Sequence, residues 1–393
     1  GLSMREDLAQ IAETLLDYAE NGETFQTDKI TTVPSGVYTD ADLWQKEMDA
    51  VFKKLPLALA ASAELPKPGN YKAMEAVGLP ILITRDKDGQ VHAFLNVCAH
   101  RGAPVAEEGC GHKSRFTCKY HGWTYTNDGK LMGVAEAHTF GDIDKSTRGL
   151  TALPCEEKSG LIFVSLTPGA EMNLDGFLDG MLDDLEYYNF KDWAYIGQRV
   201  ITGANWKIAF DGYLEGYHFS SLHPESIHPR TYSNLTHYEN FGPHMRIGFA
   251  QTGIKEKLGA APKEKWGEME NNGYDFVRIL FPNVSIFLAP EITQVAQLFP
   301  GPTVDQNRTV LMFFRNQPPK DDADREGLEG MMDWLRQVVE EEDYMIGDLI
   351  QKGLQSGAHS EIVLGKNERG NQFFHECLAW YMANDASKPM PKI

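Results

Sequence analysis

Two cysteines and two histidines lie close together in the first half of the chain, in a spacing that suits a metal centre. Cys98 and His100 are separated by one residue, seventeen residues follow, and Cys118 and His121 are then separated by two. Thiolate and imidazole ligands together suit either a structural zinc ion or a [2Fe–2S] cluster in which two histidines replace two cysteines on one iron. A Cys-x-His pair is too tight for a usual zinc finger, whose cysteines and histidines come as separate pairs, so the spacing favours the cluster.

A second set of potential metal ligands lies in the stretch FDGYLEGYHFSSLHPESIHP. His218, His223 and His228 form two overlapping His-x4-His pairs, and Glu215 precedes the first pair by three residues. Two histidines and one carboxylate, with open positions, form the iron site of non-haem Fe(II) oxygenases. We expect Glu215 and His218 to share one face of a helix. Because Pro224 should end that helix, we expect His218 and His223 to be the ligands, provided that the helix bends or breaks between them. His228 should then lie beyond the helix, at a pocket entrance or the surface.

The two stretches resemble one known family. CAHRG…CKYHGWTY resembles the Rieske signature of the ring-hydroxylating oxygenases, and NWKIAFDGYLEGYHFSSLHP resembles the iron-binding segment of their catalytic (alpha) subunits. The resemblance implies a Rieske [2Fe–2S] cluster and a mononuclear Fe(II) held by His218, His223 and a distant carboxylate. The implied cluster ligands are Cys98, His100, Cys118 and His121.

We expect the third iron ligand to be a carboxylate in the acidic run of QVVEEEDYMIGDLIQKGLQSG. Such a run is normally a solvated helix face. The family's Glu-Asp…Gln-x-Gly-Leu pattern selects Asp343, eight residues before Gln351, with Glu342 as the alternative.

Glu215 acquires a role from the resemblance. Rieske oxygenases pass electrons from the cluster of one subunit to the iron of its neighbour in a head-to-tail trimer. A carboxylate at this position would accept hydrogen bonds from a cluster histidine, His100 or His121, and from His218. Aromatic-ring dioxygenases usually have aspartate here, whereas glutamate resembles the branch that acts on quaternary amines. Asp211 stands where those dioxygenases often have asparagine, and we expect it to support the site or its pocket.

The elements around these motifs are of two kinds. LPILITRDKDGQVHAFLNV predicts a hairpin about the turn Asp86–Gly89, and GLIFVSL predicts another strand. Residues 276–317 predict an antiparallel meander, and residues 321–354 predict a long amphipathic helix or a helix pair.

These elements, with the resemblance, imply an α+β fold of two domains. Residues 38–167 would form an all-β Rieske domain. Residues 1–37 and 168–393 would form a helix-grip (START-like) catalytic domain, with an antiparallel sheet around a long helix.

Composition excludes several classes of partner. The formal charge of −19 opposes binding to nucleic acid or an anionic membrane, and no run of 18 apolar residues marks a membrane span. Five cysteines are a poor disulfide framework and favour a reducing cytoplasm. The GCG at residues 109–111 is followed by Ser114 where a dinucleotide fingerprint has its third glycine. The electrons of NAD(P)H should therefore arrive only through a separate reductase, directly or by way of a ferredoxin.

Three functions agree with these features. The first is O2-dependent hydroxylation of a small organic, preferably aromatic, substrate by a homotrimer, with or without a small beta subunit. The second, on the same fold, is an N- or O-demethylating monooxygenase or a quaternary-amine oxygenase, which Glu215 motivates. The third is an electron-transfer or metal-stabilised binding protein without oxygenase activity, which would carry no mononuclear iron.

Overall fold

The chain forms two compact units in a computed structural model that describes residues 5–268, 272–289 and 291–393. One unit is Met48–Trp193, and the other combines Gly1–Glu47 with Ala194–Ile393. Strands and helices are numbered along the whole chain. Within the described residues, no helix is both long and apolar enough to cross a membrane.

The unit Met48–Trp193 consists mainly of short antiparallel strands. They are β2 Leu57–Ala61, β3 Asn70–Ala76, β4 Leu79–Arg85, β5 Val91–Leu95, β6 Gly109–His112, β7 Arg115–Thr117, β8 Thr124–Thr126, β9 Leu131–Gly133, β10 Ala152–Leu153, β11 Cys155–Lys158 and β12 Leu161–Val164. Its helices are α3 Ala137–Phe140, α4 Leu174–Leu178 and α5 Gly180–Glu186. The sheet orders are β10-β5-β4-β3-β6, β11-β12-β2 and β7-β8-β9.

The predicted hairpin is formed by β4 and β5, with Ile83 opposite Ala93. Gly89 closes its turn with a φ of 83°, a conformation that glycine adopts without a Cβ clash. Two of the buried aromatic side chains of this unit, Phe116 of β7 and Tyr125 of β8, come from the paired strands on either side of the second cysteine–histidine loop. The core therefore lies directly beneath the predicted cluster ligands.

The second unit is built on one large sheet. Its strands are β1 Thr31–Pro34, β13 Ala194–Gly203, β14 Thr231–Phe241, β15 His244–Gln251, β16 Tyr274–Leu280, β17 Val284–Phe287, β18 Thr293–Pro300, β19 Asn307–Arg315 and β20 Glu361–Leu364. Its helices are α1 Glu6–Asn21, α2 Ala41–Glu47, α6 Trp206–Asp211, α7 Phe219–Leu222, α8 Ile254–Gly259, α9 Asp322–Val338, α10 Tyr344–Gln355 and α11 Arg369–Ala383. The seven strands of the large sheet follow the order β13-β19-β18-β17-β16-β15-β14, all antiparallel, and β1 pairs with β20.

The meander and the helix pair of the sequence analysis are both present. Strands β16 to β19 are successive neighbours in the sheet. Helices α9 and α10 are joined by one π-helical turn, Val339–Asp343. Met332 of α9 packs where Gly197 of β13 has no side chain, so the helix pair lies close against the sheet. The predicted α+β class, an all-β part and a part of helices on an antiparallel sheet, is confirmed.

Candidate metal centres and catalytic cavity

Two loops of the unit Met48–Trp193 hold the predicted cluster ligands in matching backbone turns. The N–H groups of Cys98 and Cys118 each donate to the carbonyl five residues ahead, at 2.7 and 2.8 Å. Gly102 and Gly122, four residues ahead of each cysteine, donate back to the cysteine carbonyls at 2.9 Å. Both glycines have positive φ, 91° and 75°, which other residues rarely adopt. The two thiols are therefore positioned by the same local geometry.

The four predicted ligands divide by burial. Cys98 and Cys118 are each 3% exposed, whereas His100 is half-buried and His121 is exposed. The two imidazole rings lie 4.9 Å apart between centroids, and His100 stacks on Trp123 at 4.8 Å. Buried thiols beneath surface imidazoles fit a cluster whose inner iron takes cysteine and whose outer iron takes histidine.

Tyr125 contacts one of the thiols, which the sequence did not indicate. Its hydroxyl lies 3.6 Å from Cys98 Sγ and accepts the N–H of Ala99 at 2.9 Å. When Cys98 is bound to iron its sulfur carries no proton, so in that state the hydroxyl would be the donor of this hydrogen bond. A hydrogen bond to a ligand sulfur is one of the ways in which a protein tunes an iron–sulfur cluster.

In the second unit, the structure brings His218, His223 and Asp343 together. One ligand atom from each lies within 4.8 Å of the others. Asp343 Oδ1 is 3.3 Å from His218 Nε2 and 3.0 Å from His223 Nε2. Two imidazoles and one carboxylate that converge in this way have the donor set of a mononuclear non-haem iron site.

The chain that carries the two histidines is not the expected single helix. α6 ends at Asp211, and α7 is one turn, with His218 at its N-cap and His223 at its C-cap. On an ideal helix, side chains five positions apart point in directions about 140° apart. The non-helical backbone at His223 (φ −117°, ψ 49°) removes that constraint. The expectation that Glu215 shares a helical face with His218 is wrong, because Glu215 lies in the irregular segment before α7.

Each of these histidines has its other ring nitrogen held by a glutamate. His218 Nδ1 donates to Glu215 Oε1 at 2.5 Å, and Glu215 Oε2 accepts two backbone N–H groups at 2.6 and 3.2 Å. His223 Nδ1 donates to Glu342 Oε1 at 3.0 Å. A carboxylate on Nδ1 fixes the orientation and tautomer of the ring and leaves Nε2 available for a metal.

Asp343 and Glu342 are neighbours in sequence but meet different atoms of the site. They end the π-helical turn between α9 and α10, and such turns, which add a residue to a helical repeat, are frequent at functional sites. Asp343 faces the two Nε2 atoms, whereas Glu342 contacts His223 Nδ1 and accepts the Ser226 hydroxyl at 2.7 Å. Glu342, the alternative third ligand, therefore supports His223 in this structure. In the sequence, the only indication of this role was that Glu342 directly precedes Asp343.

The electrostatics of the triad favour positive charge. Burial opposes a charged imidazole, but hydrogen bonds and charge from Asp343 and Glu215 raise the pKa of His218 to about 10. Asp343 and Glu342 likewise raise the pKa of His223 against the effect of burial. Despite burial, the two histidines hold the pKa of Asp343 below its usual value. A group of side chains that attracts protons so strongly fits a divalent cation.

Asp211 lies in a hydrogen-bonded network rather than in solvent. Its carboxylate accepts the Tyr38 hydroxyl at 2.6 Å, His375 Nε2 at 3.1 Å and Asn371 Nδ2 at 3.1 Å. These residues are more than 150 positions away in the chain, so the sequence could not pair them with Asp211. His228 lies in the turn after α7, where its N–H donates to the His223 carbonyl at 3.0 Å, and its side chain is not part of the triad.

A cavity of about 1380 Å³ adjoins the triad. One wall is a face of the large sheet, where alternate residues of β15, β16 and β17 point inward: Phe249, Gln251, Asp275, Val277, Ser285 and Phe287. The remaining wall includes further aromatic, acidic and basic residues, namely Phe219, Trp334, Glu291, Arg230 and Lys257. The cavity is therefore largely apolar and carries a few charged groups.

Comparison with known families matches both units. The family "Rieske [2Fe-2S] domain" matches residues 56–144, and the family "Ring hydroxylating alpha subunit (catalytic domain)" matches residues 190–384. The chain belongs to the Rieske-type ring-hydroxylating oxygenases, as a catalytic (alpha) subunit. This Rieske oxygenase binds a [2Fe–2S] cluster and a mononuclear iron, and it works with a reductase and oligomerises. The predicted family, enzyme class and cofactors are confirmed, and the third function in the sequence analysis is excluded.

Individual relatives cover from half to nine-tenths of the Rieske oxygenase chain. The carnitine monooxygenase oxygenase subunit of Acinetobacter baumannii is 28% identical over 380 residues, which are 90% of this chain and 95% of that protein. The anthranilate 1,2-dioxygenase large subunit of Acinetobacter baylyi is 32% identical over 205 residues, 50% of this chain and 43% of that protein. The crystal structure of the quaternary ammonium Rieske monooxygenase CntA with L-carnitine superposes with a TM-score of 0.75 at 24% identity, covering 89% of this chain and 95% of that chain. This last likeness concerns the fold alone.

Proposed function

We propose that this Rieske oxygenase is a monooxygenase that hydroxylates a carbon atom bonded to the nitrogen of a quaternary amine. In this proposal Cys98, His100, Cys118 and His121 hold the cluster, and His218, His223 and Asp343 hold the iron. The observation that carries the proposal is the converged triad, which lines a large cavity and has both of its Nδ1 atoms held by glutamates.

The proposed reaction needs O2 and two electrons from the reductase. The cluster and the iron, when bound, supply electron transfer and the activation of O2. One oxygen atom enters a C–H bond beside the nitrogen, and the other leaves as water with two protons. The carbinol O–H then loses its proton, a C=O bond forms, and the C–N bond breaks with its electron pair on nitrogen. The products are a tertiary amine and an aldehyde, which is formaldehyde when a methyl group is attacked.

The chain's own residues would orient the centre and the substrate. Glu215 and Glu342 hold the two imidazoles by Nδ1, so that both Nε2 atoms remain directed at Asp343. Because all three ligands line the cavity, a substrate in the cavity lies beside the reacting centre. The apolar side chains of the sheet face, Phe249, Val277 and Phe287, would limit the access of water to that space.

A cationic substrate is supported by three features, two from family resemblance and one from the cavity. The full-length relatives at 28% identity are carnitine monooxygenase subunits, and glutamate at position 215 resembles the branch that acts on quaternary amines. The cavity also offers aromatic faces together with carboxylates, and both attract an ammonium group.

Hydroxylation of an aromatic acid is the second candidate. The ring pair Phe219 and Phe249 (5.6 Å between centroids) and the ring of Phe287 line the cavity, and the anthranilate dioxygenase subunit is a relative over half of the chain. The cations Arg230 and Lys257 could meet the carboxylate of such a substrate.

Product analysis distinguishes the two candidates. The holoenzyme is supplied with a surrogate reductase and is offered γ-butyrobetaine, L-carnitine, glycine betaine and anthranilate in separate assays of O2 consumption. The proposal predicts coupled O2 consumption with stoichiometric aldehyde and tertiary amine from at least one betaine. A diol from anthranilate, with no aldehyde from the betaines, would refute it. His223→Ala, which should lose the mononuclear iron and keep the cluster, is the inactive control.

We further propose that Glu215 links the cluster of one subunit to the iron of the next in a homotrimer. Glu215 Oε1 already accepts from His218 Nδ1, and a carboxylate has lone pairs for a second imidazole donor. His121 is exposed and His100 is half-buried, so either imidazole could present such a donor. The expected mass in solution is three times the 44.0 kDa of one chain.

The bridge is tested with Glu215→Gln, which removes the charge and keeps the shape of the side chain. The variant should retain both metal centres, while electrons from the reduced cluster reach the iron much more slowly in a single turnover. An unchanged rate of cluster reoxidation in the presence of substrate and O2 would refute the bridge.

A further inference from the structure

The Asp275 carboxylate lines the cavity and is not used by either metal centre. Asp275 lies on β16, and its Oδ2 accepts Gln251 Nε2 at 3.1 Å. The Oε1 atom of the same glutamine accepts Lys257 Nζ at 2.9 Å. The glutamine thus stands between the lysine and the carboxylate. Within the described residues, no hydrogen bond or ion pair reaches Asp275 Oδ1.

Asp275 is placed on the substrate side of the triad. It is the direct cross-strand neighbour of Phe249 in the antiparallel pair β15–β16, and such neighbours have Cβ atoms about 5 Å apart. Phe249 packs against Phe219 at 5.6 Å, and Phe219 packs against His218 at 5.1 Å. Two aromatic rings in contact, Phe249 and Phe219, therefore connect the Asp275 position with a ligand of the iron.

The surroundings of Asp275 favour a charged group as its partner. Burial raises the pKa of Asp275, although Gln251 and Lys257 partly offset this effect. A half-buried carboxylate that is not paired directly is costly in an apolar cavity. A cation with an apolar shell would relieve that cost and would also contact the neighbouring ring of Phe249.

A purely structural role makes a different prediction. The chain from Lys257 through Gln251 to Asp275 joins α8 to the sheet, so Asp275 could serve only to hold this helix. In that case its replacement would weaken all ligands of the cavity alike, whatever their charge. The two roles are therefore distinguished by whether the replacement of Asp275 weakens the binding of cationic ligands alone or of all ligands.

We propose that Asp275 is a specificity-determining residue whose free carboxylate oxygen faces the cationic nitrogen of the substrate. This inference rests on the proposed function, and it adds the residue that would distinguish a quaternary amine from an uncharged group of the same shape. The substrate class it implies is a small molecule with a trimethylammonium or similar head group.

The test uses two probes of equal shape, γ-butyrobetaine and its carbon isostere 5,5-dimethylhexanoate. Their dissociation constants are measured by calorimetry on the holoenzyme, on Asp275→Asn and on the control Glu256→Gln, which removes an exposed carboxylate of α8 outside the cavity lining. The wild type should bind the cationic probe at least tenfold more tightly. Asp275→Asn should lose at least tenfold in affinity for that probe and less than twofold for the isostere, with unchanged iron content and melting temperature. Glu256→Gln should lose little affinity for either probe.

Three outcomes overturn the assignment, and they differ in what else they affect. If Asp275→Asn still prefers the cation as strongly as the wild type, Asp275 is not the determinant, and the proposed function stands. If both probes weaken equally, the role of Asp275 is structural. If the wild type itself does not prefer the cationic probe, the proposed substrate class falls and the assignment falls with it.

Discussion

Glu342→Ala should weaken the binding of iron(II) while leaving the Rieske cluster and the fold in place. Glu342 is the acceptor for His223 Nδ1 at 3.0 Å, and the His223 side chain is fully buried. Water therefore has little access to replace the lost carboxylate. Removing a carboxylate that orients a metal-binding histidine typically costs about 10- to 100-fold in metal affinity, which corresponds to roughly 1.4–2.7 kcal/mol.

A second substitution separates orientation from charge. In Glu342→Gln the amide oxygen can still accept from His223 Nδ1 and from the Ser226 hydroxyl, so the geometry is kept and only the charge is lost. Because a hydrogen bond to an ionised group is roughly twice as strong as a neutral one, we expect a smaller loss of affinity than in the alanine variant. Glu341→Ala is the matched control, since the Glu341 side chain is exposed and, among the described residues, its side-chain hydrogen bond is to Gln337 of α9.

The dissociation constant for iron(II) is measured anaerobically by competition with a chromogenic chelator, and the absorbance of the cluster reports that the Rieske unit is intact. A value for Glu342→Ala within twofold of the wild type would refute the positioning role. An equal loss in Glu341→Ala would instead attribute the effect to the general acidity of this helix.

Two further predictions concern the hydrogen bond to a cluster cysteine and a buried ion pair. Tyr125→Phe should lower the reduction potential of the cluster by roughly 40 mV, about 1 kcal/mol for one electron. The reason is that a hydrogen bond from the hydroxyl to Cys98 Sγ stabilises the reduced state, which is the more negative one. An unchanged potential in a potentiometric titration would exclude this hydrogen bond. Lys207→Met should lose about 3–5 kcal/mol of stability, since it leaves the Glu47 carboxylate unpaired at 2% exposure. Thermal unfolding should show that the double variant Lys207→Met/Glu47→Leu recovers most of the lost stability. The control Lys263→Met, which removes an exposed ion pair, should change the stability little. A melting temperature of Lys207→Met equal to that of the wild type would contradict this account.

Much of the fold could be predicted from the sequence because its signals are local. The hairpin β4–β5 follows from two apolar runs around a glycine turn, and the meander β16–β19 follows from short strands separated by proline, glycine and asparagine. The helix pair also follows from apolar periodicity, but the π-helical turn that joins α9 and α10 does not. The domain limits and the roles of the individual ligands stay predictions.

The candidate site was predictable only where its residues are close in sequence or match a family motif. The spacing of the cysteine–histidine loops and the order of Glu215, His218 and Pro224 carried most of the prediction. The irregular segment before α7 was not foreseen, because helical propensity does not report a break that tertiary packing stabilises.

By itself, the sequence determined the chemistry of this protein: two sets of metal ligands, their order along the chain and the family to which they belong. Only the tertiary structure decided which acidic residue of the π-helical turn faces the Nε2 atoms, that Glu342 holds His223, and that Tyr38 and His375 surround Asp211. Ligand type and spacing are properties of a short segment. Contacts between residues 119 or more positions apart depend instead on how the helices pack against the sheet, which no local pattern encodes.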